Sequence, residues 1–161
     1  MARAWSVDVA AEMAFEEAAR ETVAVRAPEM LSYVEGTALG EDIEELHSLR
    51  VSCRRLRAAL EVYAPCFGGR RHRAVLRLVK DTADAASEAR DLDVHIEFLE
   101  RYMASAPASD HPGVQSLVQR LRDERRAADE HLVPALERLR SEDFVAQVER
   151  LIGRPVAQGP A

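Results

Sequence analysis

Leu46-His47-Ser48-Leu49-Arg50-Val51-Ser52-Cys53-Arg54-Arg55-Leu56-Arg57-Ala58-Ala59-Leu60-Glu61-Val62-Tyr63 decides the fold. Leu46, Leu49, Cys53, Leu56, Leu60 and Tyr63 recur at alternating steps of 3 and 4, the pattern of a helix with one face in a packed seam. Asp42 stands at its start, and Pro65, Gly68 and Gly69 stop it. Upstream, Phe15, Ala18, Thr22 and Val25 mark a helix from about Asp8 to Ala27, which Pro28 interrupts or kinks, and Gly36 to Gly40 ends the segment. Downstream there is neither Gly nor Pro between Arg70 and Met103. Leu76, Val79, Ala83 and Ala86, then Leu92, Ile96, Leu99 and Met103, predict one helix of roughly 50 Å, with a break near Ser87 as the alternative.

Ala104 to Gly113 reads as a loop, with Ser109 or Asp110 placed to cap a helix that begins near Pro112. Leu117, Leu121, Ala128, Leu132, Ala135 and Leu139 carry that helix on, with a kink expected at Pro134, and Ser141 opens a short last helix ending at Gly153. Four long helices with short connections predict an all-α fold, an antiparallel four-helix bundle with a short C-terminal helix. One domain is expected over residues 1–153, with 154–161 a flexible tail.

A hydrophobic content of 47% drawn mostly from Ala, Leu and Val, with 5% aromatic residues, favours helices over a sandwich or barrel. No run of 18 apolar residues and no signal-like segment at Met1 to Arg20 is present, so the expectation is a cytoplasmic protein with no membrane contact. Cys53 lies in an apolar stripe and Cys66 in a turn, and neither has a ligand partner at metal spacing. Both are expected to be reduced thiols without chemistry.

Charge is segregated along the chain. Residues 1–46 carry 3 Arg and 11 acids, residues 47–80 carry 8 Arg, 1 Lys and a single Glu, and residues 81–161 carry 10 Arg and 16 acids. A net charge of -6 thus hides a basic segment of net +8, and the local field is what an anionic partner meets. His47, Arg50, Arg54 and Arg57 follow at steps of 3, 4 and 3, sharing an arc of roughly 80° over about 15 Å of helix. Each sits one position after a seam residue, which places the stripe at the rim of the core. Arg70, Arg73, Arg77 and Lys80 repeat the spacing on the next helix, and two such stripes are candidates for the walls of a channel. Guanidinium forks make paired, permanently charged hydrogen bonds to phosphate, so the stripes suit an extended polyphosphate or a nucleic-acid backbone. The competing reading is a solvated face whose arginines pair with the acids upstream of position 47.

The string His47-x-x-Arg50-Val51-x-x-Arg54-Arg55-Leu56-Arg57, followed by Arg90-Asp91-Leu92-Asp93-Val94, resembles the CHAD family, the conserved-histidine α-helical domains, over roughly Ala10 to Ile152. The resemblance implies a helical bundle that binds inorganic polyphosphate through basic residues without catalysis, and carries over to His47, Arg50, Arg54, Arg55, Arg57 and Arg90. Arg73, Arg77 and Lys80 join the expected site on spacing alone. The chain departs from the family pattern at Ala86-Ser87, where members commonly have Leu-Gly. It also looks like one half of the usual two-bundle domain, so a symmetric homodimer would restore the missing half. Association with polyphosphate granules follows as an expectation.

Other chemistry is disfavoured. His47 has no carboxylate orienter nearby in sequence, and the chain holds no Gly-rich phosphate loop, nucleophile elbow or H-E-x-x-H, so no catalytic residue and no cofactor is expected. Asp91 and His95 form an i, i+4 pair that suits a surface better than a metal, and Asp91 is expected to pair with Arg90 or with the stripes. His72, His111 and His131 read as solvated. Nucleic acid is a weaker alternative, since Tyr63 and Phe67 are the only aromatic side chains in the basic segment. A structural adaptor that meets an acidic protein surface is the other.

Overall fold

The computed structural model describes residues 5–40 and 42–156. Among these, the elements are α1 (Phe15–Leu31), α2 (Val34–Leu39), α3 (Ile43–Val62), α4 (Ala64–Phe67), α5 (Gly69–Met103), α6 (His111–Arg140) and α7 (Glu142–Ile152). The fold is an all-α bundle, and none of these helices is long and apolar enough to cross a membrane.

α3 begins where its chemistry says it should. The Asp42 carboxylate accepts from the Glu44 N–H at 2.8 Å, and Glu44 and Glu45 place negative charge on the helix's positive end. Leu46, Leu49, Cys53, Leu56 and Leu60 are all buried. At the far end His72, on α5, donates from Nε2 to the Leu60 carbonyl at 2.9 Å, satisfying one of the last carbonyls of α3. His72 is buried and stacks on Phe67, so it belongs to the core and not to the solvated surface expected for it. His111 is also partly buried, with Nε2 3.2 Å from the Ala106 carbonyl, while His131 is exposed as expected.

α5 runs unbroken through Ser87, whose hydroxyl donates back to the Ala83 carbonyl. Its buried face is built from Val75, Val79, Thr82 and four alanines at 83, 85, 86 and 89, and these small side chains let neighbouring helices approach. α3 packs on one side of α5 and α6 on the other. Both pairings are antiparallel: Glu44 meets Arg90 while Glu61 meets Lys80, and Asp93 meets Arg125 while Glu100 meets Arg122.

Several local expectations are corrected. Residues 8–14 are not helical, and α1 instead starts at Phe15 and continues through Pro28 to Leu31. Pro28 sits in the last turn, where its missing N–H costs one bond, and Ser32 recovers the end by donating to the Pro28 and Glu29 carbonyls. The Gly36–Gly40 segment is largely α2, closed by Gly40 in the left-handed region. Asp110 does not cap α6; its carboxylate takes the Ser109 and Tyr102 hydroxyls instead. Pro134 lies within α6 without ending it. The expected tail is pinned at its start, since Arg154 pairs with Glu21 and the Val156 N–H donates to Glu149 at 3.1 Å. Residues 157–161 lie outside the described residues.

Ser141 caps α7 by accepting from the Phe144 N–H, and Phe144, Val148 and Ile152 bury one face of it. α7 packs on α1, α5 and α6, so it is a wall of the bundle more than an addition to it. The fully covered part of α5 ends at Ala89, and before Ala128 the only buried residue of α6 is Val118. Residues 91–127 therefore form a two-helix arm, held by the half-buried Leu92, Ile96, Leu99, Met103, Leu117 and Leu121 and by the ion pairs of Arg122 and Arg125.

Candidate functional site

The stripe on α3 faces the α3–α5 seam. Arg50, Val51, Arg54 and Arg57 line a cavity of about 110 Å³, and α5 closes it with Ala83, Asp84 and Ser87. The small side chains at 83 and 87 leave this room, and the seam spacing of α3 turns its arginines into it. On this measure one water needs about 10–15 Å³, so the hollow has room for a phosphoryl group with some of its waters.

The charge balance here is unusual. Arg50 Nε and Arg90 Nη1 are buried with no hydrogen-bond partner, and neither Arg50 nor Arg54 has an ion pair among the described residues. Arg90 lies one turn beyond Ser87 on the same side of α5, with Nη2 3.8 Å from Glu44. At the opposite end Glu61 bridges the two helices, accepting from Arg57 Nε at 3.1 Å and lying 3.0 Å from Lys80 Nζ. Hydrogen bonds from Lys80 and then Arg57 hold the Glu61 carboxyl below its usual range. A buried guanidinium nitrogen with no acceptor costs on the order of 1–3 kcal/mol, a cost that an incoming anion removes.

Of the acids upstream of position 47, Glu44 reaches Arg90, and among the described residues none pairs with Arg50 or Arg54. Glu29 is fully buried and takes Arg26 Nη1 at 2.6 Å, Arg55 Nη1 at 2.8 Å and the Trp5 N–H at 3.2 Å. Glu21 and Glu35 go to Arg154 and Arg140. Among the described residues these acids pair Arg55 and Arg90 but neither Arg50 nor Arg54.

Not every expected site residue joins the groove. Arg55 lies 100° round the helix from Arg54, on the α1 side, and its partner is Glu29. His47 is half-buried on the outer edge of the stripe, one turn before Arg50, and does not line the cavity. Lys80 reaches the α3 side, but Arg73 and Arg77 stand on the exposed ridge of α5, and Arg77 lines a separate hollow of about 310 Å³ with Arg138, Ser141 and Asp143. The second stripe does not act as one wall of this groove: Lys80 reaches Glu61 on α3, Arg77 lines the separate hollow, and Arg73 is exposed. Asp91 does not pair with Arg90; it is exposed in the α5–α6 groove beside His95, Glu124 and His131, and Asp93 holds Arg125. No group of three metal-ligating side chains is placed to hold an ion among the described residues.

Asp84 and Ser87 were missed as groove residues by sequence reasoning, and so was the reach of Glu61 across to Lys80. Only the departure at Ala86-Ser87 pointed to this part of α5. Both aromatic residues of the basic segment are engaged in ring contacts, Tyr63 with Phe15 at 5.0 Å and Phe67 with His72. Cys53 is buried and its thiol is pushed up to about 12 by burial, and Cys66 is a half-buried free thiol.

A family model described as the CHAD domain matches residues 22–161. No curated protein and no solved structure matches the chain.

Proposed function

The chain belongs to the CHAD domain family, and on that premise we propose that it binds inorganic polyphosphate, without catalysis, in the α3–α5 groove. The observation that carries the reading is the pair of buried guanidinium nitrogens of Arg50 and Arg90, which have no hydrogen-bond partner among the described residues, beside Arg54, which has no ion pair among them. Arg50, Arg54 and Arg90 take the first phosphates. Arg57 and Lys80 are released to the polymer when it displaces Glu61, and Arg73 and Arg77 meet the chain as it leaves along the exposed ridge of α5. His47 contributes at the outer edge, and Arg55 stays outside the site. Planar guanidinium forks on consecutive phosphates give multidentate recognition, so affinity grows with chain length and falls with salt. Asp84 and Glu61 disfavour a lone small anion, which brings too little charge to offset their repulsion. The occupied aromatic rings favour polyphosphate over a nucleic acid held by base stacking. A polyphosphate binder of this kind acts in the cytoplasm, where the polymer is stored in granules.

The test is calorimetric titration with medium-chain polyphosphate at several salt concentrations, for the wild type and for Arg50→Ala with Arg54→Ala. Steep salt dependence and loss of binding in the double variant are expected. A folded wild type that ignores polyphosphate, or that binds single-stranded RNA or an acidic peptide in preference, overturns the reading.

A further inference from the structure

The α3–α5 groove differs in charge at its two ends. Along α5 from Arg90, Ser87 and Asp84 line the cavity and Lys80 follows beside Glu61. Arg77, Arg73 and Arg70 then continue, all exposed, to the start of the helix, about 30 Å from Arg90. Between Val62 and Lys80 the chain has no acid, and Arg70, Arg73 and Arg77 have no ion pair among the described residues. Asp81 and Asp143 approach this path only at the hollow that Arg77 lines.

The opposite end is acidic. Asp42 and Glu44 open α3, Glu88 and Asp91 flank Arg90 on α5, and all four are exposed. Glu44 reaches across the groove to Arg90 at 3.8 Å. At physiological salt a charge is felt over about 8 Å, so a phosphate leaving past Arg90 meets these carboxylates at close range. One leaving over Lys80 meets a further cation at each following turn. The field therefore lets a polyanion out of the groove in one direction.

The cavity itself suits the end of such a chain. Arg50, Arg54 and Arg57 line it, and Arg90 adds a buried nitrogen without a hydrogen-bond partner among the described residues. An internal phosphate of the polymer offers two free oxygens and one negative charge. A terminal one, like a phosphomonoester, offers three oxygens and a charge of about −1.5 to −2 near neutral pH. Guanidinium groups converging on a hollow that takes one phosphoryl group gain most from the terminal phosphate.

We propose that the groove holds the end of a polyphosphate chain, with the terminal phosphate between Arg50, Arg54 and Arg90 and the rest leaving over Lys80 towards Arg70. The proposal rests on the polyphosphate reading and narrows it. Each linear chain then offers two sites whatever its length, and affinity stops rising once the chain reaches Arg70.

The experiment is calorimetry of the wild type with linear polyphosphates of several narrow lengths, and with a medium-length chain whose two terminal phosphates are blocked as phosphoramidates. At saturation about two protein molecules should bind each long unblocked chain, and blocking should weaken binding about tenfold. Glu44→Gln with Asp91→Asn, which makes the acidic end neutral, should recover much of the binding of the blocked chain. Arg70→Ala with Arg73→Ala should weaken a medium-length chain about tenfold and leave tripolyphosphate within about twofold of wild type. Equal binding of blocked and unblocked chains, with more protein bound as the chain lengthens, overturns end recognition and leaves the polyphosphate reading standing. A folded wild type that binds none of these polymers overturns both.

Discussion

Arg54 and Arg55 are neighbours in sequence with opposite fates, and changing each in turn separates site from scaffold. Arg55→Met keeps the aliphatic stem but removes one of three donors on a carboxylate with no solvent access. Orphaning a buried ion completely costs about 3–5 kcal/mol. Here Arg26 and the Trp5 N–H remain, so the loss is that of one charge-assisted hydrogen bond, about 2–3 kcal/mol. With a urea slope of about 2 kcal/mol/M for a chain of this size, the unfolding midpoint should fall by about 1 M. Arg54→Ala removes an exposed side chain with no ion pair among the described residues, so its stability should change by at most about 0.5 kcal/mol and its midpoint by about 0.25 M. Polyphosphate titration should reverse the order. Arg54→Ala should weaken binding about tenfold at low salt and flatten the salt dependence, while Arg55→Met stays within about twofold of wild type. If Arg55→Met lost binding at unchanged stability, the assignment of Arg55 to the scaffold would be wrong.

Glu61→Gln should tighten polyphosphate binding by releasing Arg57 and Lys80, and calorimetry showing weaker binding would contradict its role as an internal competitor. Because the folded state holds the Glu61 carboxyl below its ordinary value, its stabilising contribution is present above the usual Glu range and lost as pH falls through the lowered value. Urea midpoints of wild type and Glu61→Gln should therefore converge in acid and separate towards neutrality. Cys53 behaves in the opposite sense: its raised value gives stability that is complete below the ordinary thiol range and lost as pH rises towards about 12, by about 1.4 kcal/mol per pH unit. Cys53→Ala should lack that alkaline slope, and a thiol reagent should label Cys66 but not Cys53 in the native protein. Gly153 closes α7 at φ 72, so Gly153→Ala should cost about 1 kcal/mol, whereas Gly113→Ala, in open space within α6, should gain about 0.5 kcal/mol on denaturant unfolding.

The positions of the helices were largely written in the local pattern. Seam spacing in α3, the absence of Gly and Pro in α5, and the caps at Asp42, Ser141 and Gly153 are short-range signals, and the elements begin or end there. The stripe from Arg50 to Arg57 was legible for the same reason, since its residues share one helix and their relative angle follows from 3.6 residues per turn. Which side of a helix meets which neighbour is not a local property. Arg55 entered the expected site through the family resemblance, but α1 places a buried Glu29 beside it, and Arg77, expected in a second wall, lines a different hollow. His72 read as surface because nothing in its own segment announces the Leu60 carbonyl twelve residues away. Helical period and charge order along the chain are enough to specify an all-α protein with its positive charge concentrated in one segment. Which of those cations are neutralised, and which stay buried without a partner among the described residues, depends on the packing of α1, α3 and α5, because ion pairs between helices form only where distant side chains are brought within a few ångströms.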